Sequence, residues 1–200
     1  MLFNEEDHTT LSTLFTTEYA GYRPNVFEAP NSDGNVDTRK RYLHVALKYN
    51  PPEWALPFLA RAHFEACRIA EALEIPDRYY PKVENGTLRV LDYPAGAGTA
   101  VHTDMCMFTV HCYRNKPEDF IRLDPVDPRA EKVDPHVHIG DLGSEIGLGL
   151  ATRHTVPERP YPQKAIIYFT MPGNRALLPN GQETLAWLAE RYDRSRVKAY

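Results

Sequence analysis

A histidine and an aspartate stand two residues apart in "GAGTAVHTDMCMFTVHC", residues 96–112, a stretch that is otherwise small or apolar. If this stretch is one strand, alternation puts His102 and Asp104 on the same face as Cys106 and Phe108. A carboxylate turned toward a core is costly unless something compensates its charge. Imidazole nitrogen and carboxylate oxygen both bind first-row divalent metals, so the pair predicts part of a metal site.

A third ligand must come from elsewhere in the chain. His154, in "LATRHTVP", lies on a later predicted strand, and His136 and His138 alternate on another. Two histidines and one carboxylate on one face of an octahedral metal leave positions open, which is the arrangement of non-haem iron(II) oxygenases. Spacing alone leaves all three histidines as candidates for the third ligand.

Length and composition predict one globular domain, residues 1–200, since 42% of the residues are hydrophobic and 25% are charged. The net charge of -4 gives no general attraction to phosphate backbones, so we expect no nucleic-acid partner. No segment approaches the roughly 18 to 20 apolar residues of a membrane span, so we expect no membrane association. Three cysteines are an odd number for a disulfide framework, which suits a cytoplasmic location.

The predicted elements divide the chain into three parts. Apolar residues recur at helical spacing over Pro57–Leu73, within a helix and loop region of about 1–85 that includes a loop or lid at Gly21–Arg41. A final helix is predicted over about 182–196. Between them, at about 87–172, short extended runs without intervening helices predict a jelly roll with flanking helices. The runs are 87–93, 100–112, 120–123, 136–139, 150–155 and 164–170.

Three motifs, in their order, resemble those of the iron(II)- and 2-oxoglutarate-dependent dioxygenases, in the branch that includes isopenicillin N synthase. "LRVLDYPAG" is similar to the family strand that ends in Tyr-Pro, and "HTDMCMFTV" to its His-Thr-Asp strand. "HVHIGDLGSEIGLGLATRHTVP" resembles the Gly-Asp turn followed by the distal histidine, which here stands 50 residues after the aspartate. The resemblance covers about residues 87–172.

The resemblance implies a mainly β fold, the double-stranded β-helix, with a metal held between its two sheets. It implies that His102, Asp104 and His154 bind iron(II), and that Tyr93 contacts the oxoacid. His138, which precedes the Gly-Asp turn, is then expected to pack in the core or to contact a ligand residue without binding the metal, and His136 is expected even less to bind it.

The sequence departs from the family pattern where an Arg-x-Ser pair clamps the far carboxylate of 2-oxoglutarate. The corresponding stretch is "YPQKAIIYFTMP", which has no arginine. One register puts Gln163 and Ala165 in the two positions, whereas a shift by one residue brings in Lys164, and the two registers face opposite ways on a strand. Lys164 is the predicted oxoacid-binding cation, with Arg122 and Arg153 as weaker alternatives.

The predicted function is that of an enzyme that uses iron(II), 2-oxoglutarate and dioxygen to hydroxylate or desaturate a small organic substrate. Succinate and carbon dioxide would be the co-products. An iron oxidase that does not use 2-oxoglutarate, like isopenicillin N synthase, is the first alternative because the arginine is missing. A jelly roll that binds a metal or small ligand without catalysis is the second.

Overall fold

The structure, a computed structural model, describes residues 1–16, 18–26, 40–134 and 136–196. These ranges contain two antiparallel sheets. The larger sheet has the strand order β1-β2-β3-β9-β5-β7 and the smaller has β4-β8-β6. The strands are β1 (Tyr22–Val26), β2 (Lys40–Val45), β3 (Thr87–Tyr93), β4 (Thr99–His102), β5 (Phe108–Arg114), β6 (Ile121–Arg122), β7 (Val137–Ile139), β8 (His154–Val156) and β9 (Gln163–Phe169).

Successive strands from β4 to β9 alternate between the two sheets, which is the connectivity of a jelly roll. The predicted fold class, mainly β with flanking helices, is confirmed. β3 has the predicted bounds, and β9 lies one residue earlier than predicted. That the chain forms a single domain stays a prediction.

Five α-helices accompany the sheets in the described ranges, and the longest covers the outer face of the larger sheet. Its buried stripe contains Leu59, Ala62, Ala66 and Ile69, as the helical spacing predicts, and it packs against β3, β5 and β9. The helices are α1 (Glu5–Ser12), α2 (Leu56–Ala72), α3 (Pro128–Val133), α4 (Asp141–Glu145) and α5 (Thr184–Arg196). The predicted helices at 57–73 and 182–196 are therefore confirmed, within two residues at each end.

The two faces of the larger sheet pack against different neighbours. On β9, Ile166 and Tyr168 belong to the outer core with α2, whereas Ala165 and Ile167 belong to an inner cluster between the sheets. That inner cluster also contains Leu91, Tyr93 and Val156. Strand alternation therefore turns odd-numbered residues of β9 toward the inside of the jelly roll.

The prediction of one strand over residues 100–112 is wrong. The stretch forms β4 in the smaller sheet and β5 in the larger, and residues 103–107 connect them without strand structure. His102 and Asp104 therefore do not share a strand face. Sequence periodicity misses this break because both halves are extended and apolar.

The prediction of helix and loop for residues 1–85 is also wrong in part, since β1 and β2 extend the larger sheet by two strands. The alternating run "RYLHV" was a usable signal for β2. The ends of the predicted loop or lid at Gly21–Arg41 are parts of these strands, and residues 27–39 lie outside the described ranges. No helix of the described ranges combines the length and apolar character needed to cross a bilayer.

Candidate metal centre

Two of the predicted ligands face each other across neighbouring strands of the smaller sheet. His102 ends β4, His154 begins β8, and the two are paired in register with ring centroids 4.2 Å apart. Each Nδ1 bonds the carbonyl oxygen two residues earlier, that of Ala100 at 2.7 Å and that of Thr152 at 3.0 Å. A carbonyl only accepts, so each Nδ1 carries the hydrogen and each Nε2 keeps a free lone pair for a metal.

Asp104 reaches these histidines from the loop between the sheets, and the beginning of α4 holds that loop. The backbone N–H of Asp141 donates to the Asp104 carbonyl at 2.7 Å, and the N–H of Leu142 donates to that of Cys106 at 3.1 Å. Gly140 permits this approach, because a Cβ there would lie 2.7 Å from the Asp104 carbonyl oxygen and closer still to that of Cys106. The Gly-Asp turn therefore has a structural role in placing Asp104.

The two carboxylate oxygens of Asp104 have different partners. Oδ2 accepts hydrogen bonds from Thr109 Oγ1 at 2.5 Å and from His138 Nε2 at 2.8 Å. Oδ1 lies 3.6 Å from His102 Nε2, and Oδ2 lies 3.9 Å from His154 Nε2. The ligand atoms of His102, Asp104 and His154 all lie within 4.8 Å of one another. This donor set of two neutral imidazoles and one carboxylate oxygen fits a divalent first-row metal.

The electrostatics favour the ligand forms of these groups. Burial by itself would raise the pKa of Asp104, but the neighbouring His154, His102 and His138 outweigh it and hold that pKa well below its usual range. Burial, followed by the proximity of His138 and His102, holds the pKa of His154 well below its usual value. At neutral pH the carboxylate is therefore ionised and His154 is neutral.

His138 does not join the three ligands but positions the carboxylate. A buried chain of hydrogen bonds runs from Arg114 Nε to His111 Nδ1 (3.1 Å), from His111 Nε2 to His138 Nδ1 (3.1 Å), and on to Asp104. A guanidinium only donates, so each step has a fixed direction and both imidazoles are neutral donors through Nε2. Burial, and then Arg114, hold the pKa of His111 well below its usual value.

Arg114 and His111 were missed in the sequence. His111 lies at an inward position of β5, two residues after Thr109, so alternation was a usable signal. Arg114 is turned inward by a register shift between His111 and Tyr113, which no local pattern marks.

The predicted oxoacid contacts separate in the structure. Tyr93 is buried inside the jelly roll, and its hydroxyl accepts a hydrogen bond from Thr99 Oγ1 at 3.3 Å. Lys164 points the other way, and its Nζ pairs with Glu5 of α1 at 3.1 Å. The inward residues of β9 are therefore Gln163 and Ala165, which settles the register. This placement disagrees with the predicted role of Lys164, because Lys164 and the other even-numbered residues of β9 face α1 and α2 on the outside of the sheet.

The other residues considered in the sequence do not join the three predicted ligands. Arg153 is exposed and pairs with Asp124 at 2.8 Å. Arg122 is paired in register with His154, and it lines a cavity of about 240 Å³ with His136, His111, Arg114 and Phe120.

We expect the metal-free protein to lose stability as the pH falls from 7.5 to 5.5. The folded state holds His111 and His154 neutral, whereas an unfolded histidine protonates near pH 6.5, so unfolding takes up protons below that pH. Stability from these two groups is therefore present above pH 6.5 and is lost below it, on the order of 1 kcal/mol for each group over this interval. The pKa values of His8 and His63 are also lowered in the folded state, so these two residues likewise reduce stability as the pH falls. Urea denaturation with a chelator present measures the unfolding free energy at pH 7.5 and at pH 5.5. Equal values at the two pH values would contradict the prediction.

The strand arrangement is shared with solved structures. A candidate oxygenase from Shewanella oneidensis aligns with a TM-score of 0.65 at 19% identity, over 98% of this chain and 86% of that one. A full-length Neurospora crassa protein, solved in complex with alpha-KG and thymine, aligns with a TM-score of 0.59 at 16% identity. The alignment covers 90% of this chain and 76% of that one. The rice dioxygenase for auxin oxidation aligns with a TM-score of 0.50 at 15% identity, over 95% of this chain and 76% of that one. No protein-family model and no curated protein matches the sequence. At these identities the likeness shows the fold.

Proposed function

We propose that the protein is an iron(II)- and 2-oxoglutarate-dependent dioxygenase that hydroxylates or desaturates a small organic substrate. One observation carries the proposal. His102 and His154 have tautomers fixed by backbone carbonyls, and their free Nε2 atoms and a carboxylate oxygen of Asp104 all lie within 4.8 Å of one another. Three ligands on one side leave the opposite side for exchangeable ligands, which oxygenase chemistry requires.

The residues of this chain would hold and orient the reactants. His102, Asp104 and His154 would bind iron(II), which when bound supplies the activation of dioxygen that side chains cannot provide. His138 and Thr109 engage Oδ2 of Asp104, so that the carboxylate offers one oxygen to the metal. In the overall reaction, one molecule of dioxygen oxidises both the substrate and 2-oxoglutarate. The 2-oxoglutarate is converted to succinate and carbon dioxide.

The comparisons support the choice of cosubstrate and the class of substrate. The Neurospora crassa protein was solved with alpha-KG and with thymine or 5-formyluracil, both small molecules. Inside the present jelly roll, an apolar cluster that includes Tyr42, Leu91 and Ile167 lies beside Tyr93. Apolar side chains of this kind make up most of the surface of small-molecule sites.

An iron oxidase that does not use 2-oxoglutarate is the second candidate. The specific observation in its favour is that Gln163 and Ala165 occupy the inward positions of β9, where the family has its carboxylate clamp. Neither side chain carries a positive charge.

Anaerobic titration of the iron(II)-loaded protein with 2-oxoglutarate tests the proposal. Chelation of the oxoacid is expected to produce a metal-to-ligand charge-transfer band in the visible spectrum, and succinate is expected to form when oxygen and substrate are supplied. His102→Ala should abolish the band. A protein that binds one equivalent of iron without a band would favour the oxidase, and stoichiometric zinc without oxygen consumption would favour a non-catalytic metal-binding protein.

We propose a cytoplasmic location as well. Cys67, Cys106 and Cys112 are all free thiols, and the latter two are buried. Free thiols suit a reducing compartment.

A further inference from the structure

The inward positions of β9 cannot hold a carboxylate. The Nε2 of Gln163 donates to the carbonyl oxygens of Pro157 at 2.9 Å and Ala97 at 3.4 Å. Its Oε1 is buried and has no hydrogen-bond partner in the described ranges, but an amide oxygen is an acceptor and repels a carboxylate. Any cation for an oxoacid must therefore come from another strand.

Arg114 stands on the strand next to β9 and is paired in register with Ala165. It is only 7% exposed, and its guanidinium lies over the ring of Phe120, 4.7 Å from the centroid. The Nε donates to His111, which fixes the plane of the group. Arg114 thus places a rigidly held positive charge beside Ala165, an inward position of β9 that carries no charge itself.

The terminal nitrogens of Arg114 make no hydrogen bond or ion pair in the described part of the chain, where Nε makes the only side-chain hydrogen bond of this residue. The carboxylates of Asp104 and Asp119 act on the guanidinium through space, without an ion pair. Arg122 lines the same cavity of about 240 Å³; its Nη1 is buried without a partner in the described ranges, and its Nη2 lies 3.7 Å from Glu131 Oε1. A buried charge is costly without a counter-ion, and the planar fork of a guanidinium matches the two oxygens of a carboxylate.

The position of Arg114 relative to the metal centre suits a ligand that spans the two. The ring of Phe120 lies between them, with its centroid 5.1 Å from that of His154. The cavity therefore begins one aromatic ring away from the candidate metal ligands. A five-carbon dicarboxylate held at the metal by its oxoacid end would extend its other carboxylate toward this cavity.

We infer that Arg114, on β5, binds the far carboxylate of 2-oxoglutarate in place of a cation on β9, with Arg122 as the second positive group of the cavity. The inference rests on the proposed function, because the ligand is the cosubstrate of that reaction. It assigns to β5 the role that the sequence predicts for Lys164.

Anaerobic spectroscopic titrations with two oxoacids test this inference as a binding equilibrium. The probes are 2-oxoglutarate and 2-oxobutyrate, which has the same chelating end but no far carboxylate. We expect the wild-type protein to prefer 2-oxoglutarate by about 30-fold or more, since removal of one member of a buried charged pair costs that much. In Arg114→Gln the affinity for 2-oxoglutarate should fall by a similar factor, whereas that for 2-oxobutyrate should change less than about 3-fold.

The variants separate a charge effect from a folding effect. Arg114→Lys keeps the charge but not the fork, so an intermediate affinity is expected. Arg68→Gln removes an exposed arginine that pairs with Glu65 on α2 and should leave both affinities unchanged. Iron binding at one equivalent in every variant would show that the centre is folded.

The outcomes distinguish the two proposals. If the wild-type protein binds neither oxoacid with iron present, the proposed function fails and the inference fails with it. If wild type binds 2-oxoglutarate but shows no preference over 2-oxobutyrate, or if Arg114→Gln keeps the preference, only the inference fails. A larger loss in Lys164→Gln or Arg122→Gln than in Arg114→Gln would also overturn the assignment to Arg114.

Discussion

Asp104→Asn should lower the affinity for iron(II) by at least about 100-fold while the fold persists. Loss of a partner that only orients a ligand costs about 10- to 100-fold in metal affinity, and loss of the ligand itself should cost more. The amide can keep its oxygen at the position of Oδ2, where Thr109 and His138 donate hydrogen bonds. Its NH₂ group then replaces Oδ1 and turns hydrogens toward His102, which opposes metal binding.

Competition with a colorimetric chelator measures the iron affinity, and thermal unfolding of the metal-free protein measures the fold. Asp77→Asn makes the same change at an exposed aspartate and should bind iron as the wild type does. If Asp104→Asn retained one equivalent of tightly bound iron, Asp104 would not be a ligand.

Gly140→Ala should weaken both the fold and the metal site, although residue 140 has no side chain near the metal. The added methyl group would collide with two backbone carbonyls, those of Asp104 and Cys106, neither of which can rotate away as a side chain could. Overpacking of this kind costs about 1–3 kcal/mol of unfolding free energy. The loop that carries Asp104 must move to relieve the collision, so we expect iron affinity to fall by about 10-fold or more.

Gly173→Ala is the matched control for this change. A Cβ at residue 173 meets nothing within 4 Å, so the substitution should leave both the unfolding free energy and the iron affinity close to wild type. Urea denaturation and chelator competition measure the two quantities on both variants. Equal behaviour of the two alanine variants would mean that α4 does not place Asp104.

The sequence was sufficient for the features that depend on local periodicity and residue chemistry. Strand β3 and helix α2 follow from their apolar spacing, because each buries one face against the same core. Residue chemistry predicted a metal site at His102 and Asp104, the resemblance of the ordered motifs implied His154 as the third ligand, and the structure brings these three side chains together. Few other residue types bind a divalent metal, which makes such a set recognisable.

Tertiary structure decided how those residues are held and what surrounds them. Asp104 lies beside the histidines because backbone N–H groups of α4, more than 30 residues away in sequence, bind its loop. The pairing register of β9 decided that Gln163 faces the inside of the jelly roll and that Lys164 does not. A shift of one residue in register turns every side chain of a strand to the opposite face. The inward turn of Arg114 depends on an irregularity of strand pairing. Pairing register and contacts between distant segments are set by the packing of the whole chain, so no local pattern specifies them.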